Sequence, residues 1–107
     1  MIVSMIKIVV TPDNKEEILE ILFSLKGPTE VKNGCVNCRI YQDLQDNHII
    51  YKETWKDKAR LDKHIRSDLY RDILAVIDMS SEQPGISFFT VSDVAGMELI
   101  KETLGYD

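Results

Sequence analysis

The chain has 107 residues, 44% of them hydrophobic and 29% charged, and its formal net charge is −5. This length fits one globular domain, residues 1–107, and leaves no room for a second hydrophobic core. The acidic balance excludes a typical nucleic-acid-binding protein, because affinity for nucleic acid comes mainly from clustered lysines and arginines.

The sequence also lacks the signals of export or membrane insertion. Residues 1–7 contain neither the basic stretch nor the small-residue cleavage site of a secretory signal peptide. No apolar run approaches the roughly 20 residues that a membrane span needs. Two cysteines are too few for a disulfide framework, so a reducing compartment fits best. We therefore expect a cytoplasmic protein that does not associate with membranes.

The first elements in chain order are predicted to be a buried strand and an amphipathic helix. Residues 2–10 are nearly all apolar and rich in β-branched side chains, which is typical of a central strand. Asp13 and Glu16 have the spacing of a helix capping box. Apolar residues follow at helical spacing, namely Ile18, Ile21, Leu22 and Leu25. Gly27-Pro28 is expected to end or kink this helix, because proline lacks an amide hydrogen.

A β-hairpin is predicted next. After a turn at 33–34, residues 35–44 and 48–55 alternate between their two faces as strands do. Cys35 and Cys38 lie in the first of these strands, where a separation of three residues would place the thiols on opposite faces. That arrangement disfavours both a disulfide and a shared metal ion.

The second half of the chain predicts a helix, a strand and a short terminal helix. Asp57 can cap a helix whose apolar residues recur at four-residue steps between 61 and 77. Ser67 resembles a second N-cap, so this helix is expected to be offset or broken there. Residues 86–94 are predicted to form the fourth strand, and residues 95–104 a short helix.

The order of these elements, β-α-β-β-α-β, predicts an α+β fold of the ferredoxin-like type. A four-stranded antiparallel sheet would carry two helices on one face, with a core over about residues 2–95. The uncovered face should also be apolar, and leaving it exposed would create a sizeable sticky patch. We therefore expect a homodimer that forms through the open sheet face.

Several side chains that could form a ligand pocket converge between the sheet and the second helix. They are Tyr51, Glu53 and Trp55 from one face of the third strand, and Leu61, His64 and Ile65 from the apolar stripe of the helix. Aromatic rings, a carboxylate and an imidazole in an apolar setting are typical of a small-molecule site.

The polar and aromatic members of this set also have structural interpretations. Trp55 at a strand end often serves packing alone, and a lone histidine such as His64 on an apolar stripe is often a core residue. Glu53 could instead pair with Arg60 or Arg39. The combination of the three side chains favours a site more than any one of them does.

Motifs for cofactors and metals are missing from the sequence. It has no glycine-rich phosphate loop, no H-E-x-x-H and no G-x-S-x-G. The two cysteines lie within a strand, whereas redox pairs of this spacing lie at a helix N-terminus. We therefore expect no nucleotide cofactor bound through a recognisable motif, and neither a metal site nor a redox role for the two cysteines.

Four short segments together resemble the antibiotic biosynthesis monooxygenase family of dimeric α/β-barrel proteins. They are Gly34-Cys35, Tyr41-Gln42-Asp43, Tyr51-Lys52-Glu53-Thr54-Trp55 and His64-Ile65-Arg66-Ser67. These segments resemble the family pattern of G-C, Y-x-D, E-x-W and H-x-x-S. The likeness covers roughly residues 5–95, and the chain is most similar to the small quinol-monooxygenase-like members.

The resemblance implies cofactor-free oxidation of a small aromatic phenol or quinol by molecular oxygen. An ionised hydroquinone can itself supply electrons to oxygen, so the protein needs only a base, a dry cavity and orientation. By position, His64 would be the base or proton shuttle, Trp55 would line the pocket, and Glu53 would orient or polarise. The expected substrate-binding residues are Tyr51, Leu61 and Ile65.

Two alternatives stand beside this hypothesis. A related branch of the fold degrades haem with an asparagine on its first strand, where the polar residues here are Ser4 and Lys7. That difference weighs against haem degradation. A non-catalytic dimer that binds a small apolar ligand would need the same pocket, so the sequence does not separate it from an enzyme.

Overall fold

The sheet and helices follow the predicted order. The structure, a computed structural model, describes residues 1–105. Its elements are β1 (Ile2–Val9), α1 (Lys15–Glu30), β2 (Cys35–Gln42), β3 (His48–Trp55), α2 (Lys58–Ile65), α3 (Asp68–Ile77), β4 (Gly85–Thr90) and α4 (Met97–Leu104). The strands lie in the order β2-β3-β1-β4, and all neighbouring pairs are antiparallel. The predicted α+β, ferredoxin-like fold class is confirmed.

Alternate residues of the two central strands form the floor of the core. In the β1–β3 register, Ile8 is opposite Ile49 and Ser4 is opposite Glu53. All four are buried, because this face of the sheet is covered by helices. The helices contribute Ile18 and Leu22 from α1 and Ile73 and Val76 from α3 to the same cluster. Glu53 therefore lies within a layer that is otherwise mostly apolar.

The second predicted helix is interrupted at Ser67, as expected. α2 is capped by Asp57, whose Oδ1 accepts a hydrogen bond from the Arg60 amide at 3.0 Å. α3 begins after Ser67, whose hydroxyl donates to the His64 carbonyl at 2.6 Å instead of capping the new helix. This hydrogen bond ties the break to the last turn of α2.

α1 starts one residue later than predicted, and it does not end at Gly27-Pro28. The N-cap is Asn14 rather than Asp13, and no side-chain hydrogen bond caps the helix. At its other end the helix continues through Pro28 to Glu30. A proline so close to the end disturbs only the last turns, and the buried Thr29 hydroxyl donates to a carbonyl of the preceding turn at 2.8 Å.

A register shift at the start of β2 changes the placement of the two cysteines. Cys35 is opposite Trp55 and Cys38 is opposite Glu53, with a bulge between them. Because Trp55 and Glu53 share a face, both cysteines are registered to the helix-covered side. The prediction of opposite faces is therefore wrong, although both cysteines are free thiols.

The last strand and the last helix are the exposed part of the fold. β4 spans Gly85–Thr90, shorter than the predicted 86–94, and each of its residues is exposed. Phe88 and Phe89 lie on opposite faces, and each is 48% exposed. α4 has no buried residue. Within residues 1–105, no helix has both the length and the apolar character needed to cross a membrane.

The sheet face opposite the helices is mixed rather than continuously apolar. Its apolar residues, by register, are Val3, Met5, Val9, Ile50, Tyr41 and Phe89. Lys7, Arg39 and Lys52 share this face. The expected apolar surface is thus present only in part, because cationic side chains interrupt it.

Candidate active site

The Glu53 carboxylate joins the side chains that converge between the sheet and α2. Its Oε1 accepts a hydrogen bond from Trp55 Nε1 at 2.9 Å, and its Oε2 lies 3.0 Å from His64 Nε2. All three side chains are buried, with residue exposures of 0%, 1% and 2% respectively. The structure thus brings together the carboxylate, the indole and the imidazole that the sequence placed there.

The local sequence explains this convergence. The two-residue period of β3 puts Glu53 and Trp55 on the same face. The Asp57 cap then begins α2 at once, and His64 lies in its last turn, above that face. The arginines considered as alternative partners of the carboxylate bind elsewhere, Arg39 to Glu30 and Arg60 to Asp57.

Two aromatic rings fix the orientation of the His64 imidazole. The Trp55 ring centroid lies 4.6 Å away with an interplanar angle of 32°, and the Tyr70 ring meets it edge-on at 5.2 Å. Burial, followed by the negative charge of Glu53, raises the pKa of Tyr70 to about 12. Tyr70 therefore stays protonated near neutral pH and acts here as a packing partner of the histidine.

Lys32 completes the hydrogen bonding of the imidazole from the side opposite Glu53. Its Nζ lies 3.0 Å from His64 Nδ1 and donates to Ser67 Oγ at 2.8 Å. An ammonium group has no acceptor, so Nδ1 must accept this bond and the ring proton belongs on Nε2, where it is donated to Glu53. The result is a continuous chain from Lys32 through His64 to Glu53.

Burial also affects the Lys32 ammonium itself. Desolvation lowers its pKa, the negative charge of Glu53 acts in the opposite direction, and the nearby Lys63 lowers the pKa further. An amine whose protonated form is disfavoured gives up or shares a proton more readily than an exposed lysine. Lys32 is thus suited to exchange hydrogen bonds with a ligand.

A cavity of about 440 Å³ lies beside this chain. Its lining residues are Lys32, Asn33, Trp55, Arg60, Lys63, His64, Arg66 and Ser67. This volume is within the range of small-molecule sites. Trp55 and His64 provide the aromatic part of the wall, and the remaining side chains are polar or basic.

The other three predicted site residues lie away from this cavity. Tyr51 is fully buried, and its hydroxyl donates to Thr29 Oγ1 at 3.3 Å. Leu61 and Ile65 line a separate cavity of about 350 Å³ between α2 and β4, together with Phe88. The structure therefore groups His64, Glu53 and Trp55, and does not bring Tyr51, Leu61 or Ile65 to the same space.

Lys32 is a member of the site that the sequence did not predict. Ser67 belongs to the H-x-x-S segment, so its closeness to His64 had a signal in the sequence. Lys32 follows α1 in a turn with no periodic pattern. Nothing in the sequence alone indicated that its side chain reaches the imidazole.

The family model for antibiotic biosynthesis monooxygenases matches residues 1–76. The chain therefore belongs to the antibiotic biosynthesis monooxygenase family. A curated relative, an uncharacterised protein of Synechocystis sp. (strain ATCC 27184 / PCC 6803 / Kazusa), is 30% identical over 66 residues, or 61% of this chain. The chain spans 45% of the length of that relative.

Solved structures share the fold over most of their length. A conserved protein from Methanosarcina mazei Go1 has a TM-score of 0.77 at 28% identity, and the match covers 85% of this chain and 92% of that one. A Mycobacterium tuberculosis protein has a TM-score of 0.79 at 18% identity, with coverages of 89% and 98%. A Deinococcus radiodurans protein whose name carries the same family description has a TM-score of 0.79 at 15% identity, with coverages of 90% and 97%. The last two identities support the fold alone.

Proposed function

We propose that this protein is a cofactor-independent monooxygenase that oxidises a small aromatic phenol or quinol with molecular oxygen. The observation that carries the proposal is the buried chain from Lys32 through His64 to Glu53, beside a cavity of about 440 Å³. In such a chain the imidazole can accept the proton of a phenol. The neighbouring carboxylate then balances the positive charge that the imidazole carries. Membership of the family supports the reaction class.

In this proposal His64 Nδ1 is the atom that accepts the substrate proton. A hydroxyl group bound next to Nδ1 gives its proton to the ring, and the Glu53 carboxylate on Nε2 stabilises the imidazolium that forms. Lys32 then turns an N–H towards the phenolate oxygen, in place of its bond to Nδ1. Trp55 provides a flat apolar wall against which an aromatic ring can lie.

The reaction balances without an added reductant. A phenol loses its hydroxyl hydrogen and one ring hydrogen, and it gains one oxygen atom as the second quinone carbonyl. A hydroquinone likewise loses two hydrogens in total and gains one oxygen atom, which gives a hydroxyquinone. The other oxygen atom leaves with the two hydrogens as water. All electrons that reduce oxygen come from the aromatic ring, so the protein contributes a base and orientation.

Oxygen uptake tests this proposal. Protein treated with a chelator and free of flavin is mixed with a panel of phenols and hydroquinones in an oxygen electrode, with heat-denatured protein as the control. We expect uptake above the rate of spontaneous oxidation for at least one member of the panel. Saturable binding of the same compounds with no uptake would identify a non-catalytic binding protein and overturn the proposal.

We also propose that the protein is a homodimer formed through the open sheet face. This face carries Met5 and Ile50 at its centre and Phe89, 48% exposed, near its edge. α4 adds a second apolar surface through Met97, Leu99, Ile100 and Leu104, each more than half exposed. Apolar surface of this extent favours association, and a second copy of the chain is the partner that the family resemblance implies.

A further inference from the structure

The charge around the cavity is opposite to that of the whole protein. The chain has a net charge of −5, yet the cavity wall includes four basic residues, Lys32, Arg60, Lys63 and Arg66. Among residues 1–105, no aspartate or glutamate lines this cavity. Clustering of like charge in an acidic protein raises the local positive potential and attracts anions.

Most of these cations lack a carboxylate partner. Arg60 is paired with Asp57. Within residues 1–105, none of Lys32, Lys63 and Arg66 forms an ion pair with a carboxylate. The surface pairs on the neighbouring helix faces, by contrast, include Lys58–Asp62 at 2.8 Å. Lys63 and Arg66 are therefore available to a ligand, whereas Lys32 already bonds His64 and Ser67.

The dipole of α2 explains the placement of only some of these basic residues. Lys63 and Arg66 lie at the C-terminal end of α2, where cations are favoured by the helix dipole. Lys32 comes from the turn after α1, and burial lowers its pKa because it destabilises the charged form of the amine. A bound anion would stabilise that charged form.

We infer that the cavity binds an aromatic compound that carries a carboxylate, with Lys63 and Arg66 at the carboxylate and the ring against Trp55. Resting on the proposed function, this inference names the substrate class as a phenol or quinol with an acidic group. Lys32 and His64 contact the hydroxyl group that is ionised in the proposed reaction. Arginine and lysine bind carboxylates through charge-assisted hydrogen bonds, and arginine can do so with two parallel bonds.

Binding of redox-inert probes tests the inference separately from catalysis. Calorimetry compares a naphthoate with the matching naphthamide, which has the same shape without the charge. We expect the naphthoate to bind about tenfold or more tightly at low salt, since hydrogen bonds to charged groups are the stronger ones. High salt should reduce the difference. Equal affinities for the two probes would overturn the inference.

Matched double variants locate the charge that is responsible. Lys63→Gln with Arg66→Gln should abolish the preference for the naphthoate. Lys58→Gln with Arg71→Gln removes the same charge from residues outside this cavity and should leave the preference intact. Equal loss in both double variants would show that only the overall charge matters, and would overturn the assignment.

Oxygen uptake with hydroquinone and with gentisate, its carboxylate derivative, separates the two proposals. A higher kcat/KM for gentisate supports both. Oxidation of hydroquinone with no preference for gentisate would overturn the inference and leave the proposed function standing. Preferred binding of carboxylates with no oxidation of either compound would overturn the proposed function and leave the inference standing.

Discussion

Both ring nitrogens of His64 are occupied, and this determines how a substrate can reach the proposed base. Nε2 faces the Glu53 carboxylate at 3.0 Å and is the end that stays in the protein. Nδ1 accepts from Lys32 at 3.0 Å, so a substrate hydroxyl must replace or share that bond. The lysine side chain is half-buried and flexible, which makes this exchange easier than any displacement of Glu53.

Replacement of His64 by alanine should remove most of the oxidation. We expect kcat to fall by about 10²–10⁴-fold, the usual contribution of a general base. Stability should fall by about 1–3 kcal/mol, because the buried Glu53 loses a hydrogen-bond partner. Steady-state oxygen uptake and chemical denaturation measure the two effects.

The other histidine provides the control for this experiment. His48 begins β3 and does not line the cavity, so His48→Ala should keep the wild-type kcat. If His64→Ala does not fold, His64→Gln keeps an amide that can bond Glu53 and serves in its place. A folded His64 variant with undiminished kcat would contradict the role of the imidazole.

The two thiols should be unreactive in the folded protein. Burial is the main cause that raises the pKa of Cys35 to about 11 and that of Cys38 to about 12, from 9.0. Only the thiolate is a good nucleophile, so a thiol reagent near neutral pH should label the native protein slowly and the unfolded protein fast, without prior reduction. A native disulfide or bound zinc would contradict this.

The same thiols give the stability a defined dependence on pH. Well below pH 9 both are protonated in the folded and unfolded states. As the pH rises from about 9 to about 11, the unfolded chain releases protons that the folded one retains. Their contribution to the free energy of unfolding therefore falls over this range, and Cys35→Ala with Cys38→Ala should weaken that fall.

The site residues that could be predicted from the sequence are those whose positions follow from the regular period of a strand or a helix. Glu53 and Trp55 are two apart on a strand, and His64 lies on a helix face, so their meeting follows from regular geometry. Lys32 could not be found in this way, because its position depends on the path of the turn after α1. Ile65 was expected to line the same pocket, but it is the last residue of α2 and is 38% exposed.

The turn between α1 and β2 contains Gly34, which packs against the cavity residue Arg60. Gly34 has a φ of +89°, and a Cβ at this position would lie 1.9 Å from Arg60 Cδ. Its carbonyl accepts a hydrogen bond from the Lys56 amide at 2.8 Å. A glycine is needed here both for the backbone conformation and for the close approach of Arg60.

Replacement of Gly34 by alanine should therefore destabilise the protein by about 1–3 kcal/mol, from backbone strain and displacement of Arg60. Gly27→Ala is the matched control, because it lies within α1 and its Cβ would meet nothing within 4 Å. This second change should stabilise the protein by about 0.4–1 kcal/mol. Equal effects of the two substitutions on denaturant unfolding would contradict the stated role of Gly34.

Element boundaries were predictable where the turn chemistry was unambiguous. The third strand was placed at 48–55, the bounds that it has in the structure, and the break at Ser67 was anticipated. The sequence predicts an end or a kink of α1 at Gly27-Pro28 and a regular alternation along β2, whereas the helix continues to Glu30 and β2 contains a bulge. Tertiary packing decided both cases, through the buried Thr29 and through the bulge near Cys35.

For the whole molecule, the proposed homodimer should be measurable by light scattering. The chain mass is 12.3 kDa, and we expect about twice that value at micromolar concentration. Ile50→Glu places a charge at the centre of the open sheet face and should give a folded monomer. Phe23→Glu is the control, because Phe23 is 59% exposed on α1, away from that face. A wild-type monomer would contradict the proposal.

The fate of the two oxygen atoms distinguishes a monooxygenase from a protein that only transfers electrons to oxygen. Reaction under oxygen-18 gas, with a phenol that supports oxygen uptake, is followed by mass spectrometry of the quinone and by an assay for hydrogen peroxide. We expect one labelled oxygen atom in the quinone, the other in water, and no peroxide. An unlabelled product with one peroxide formed for each oxygen consumed would show simple oxidation by electron transfer and would contradict monooxygenation.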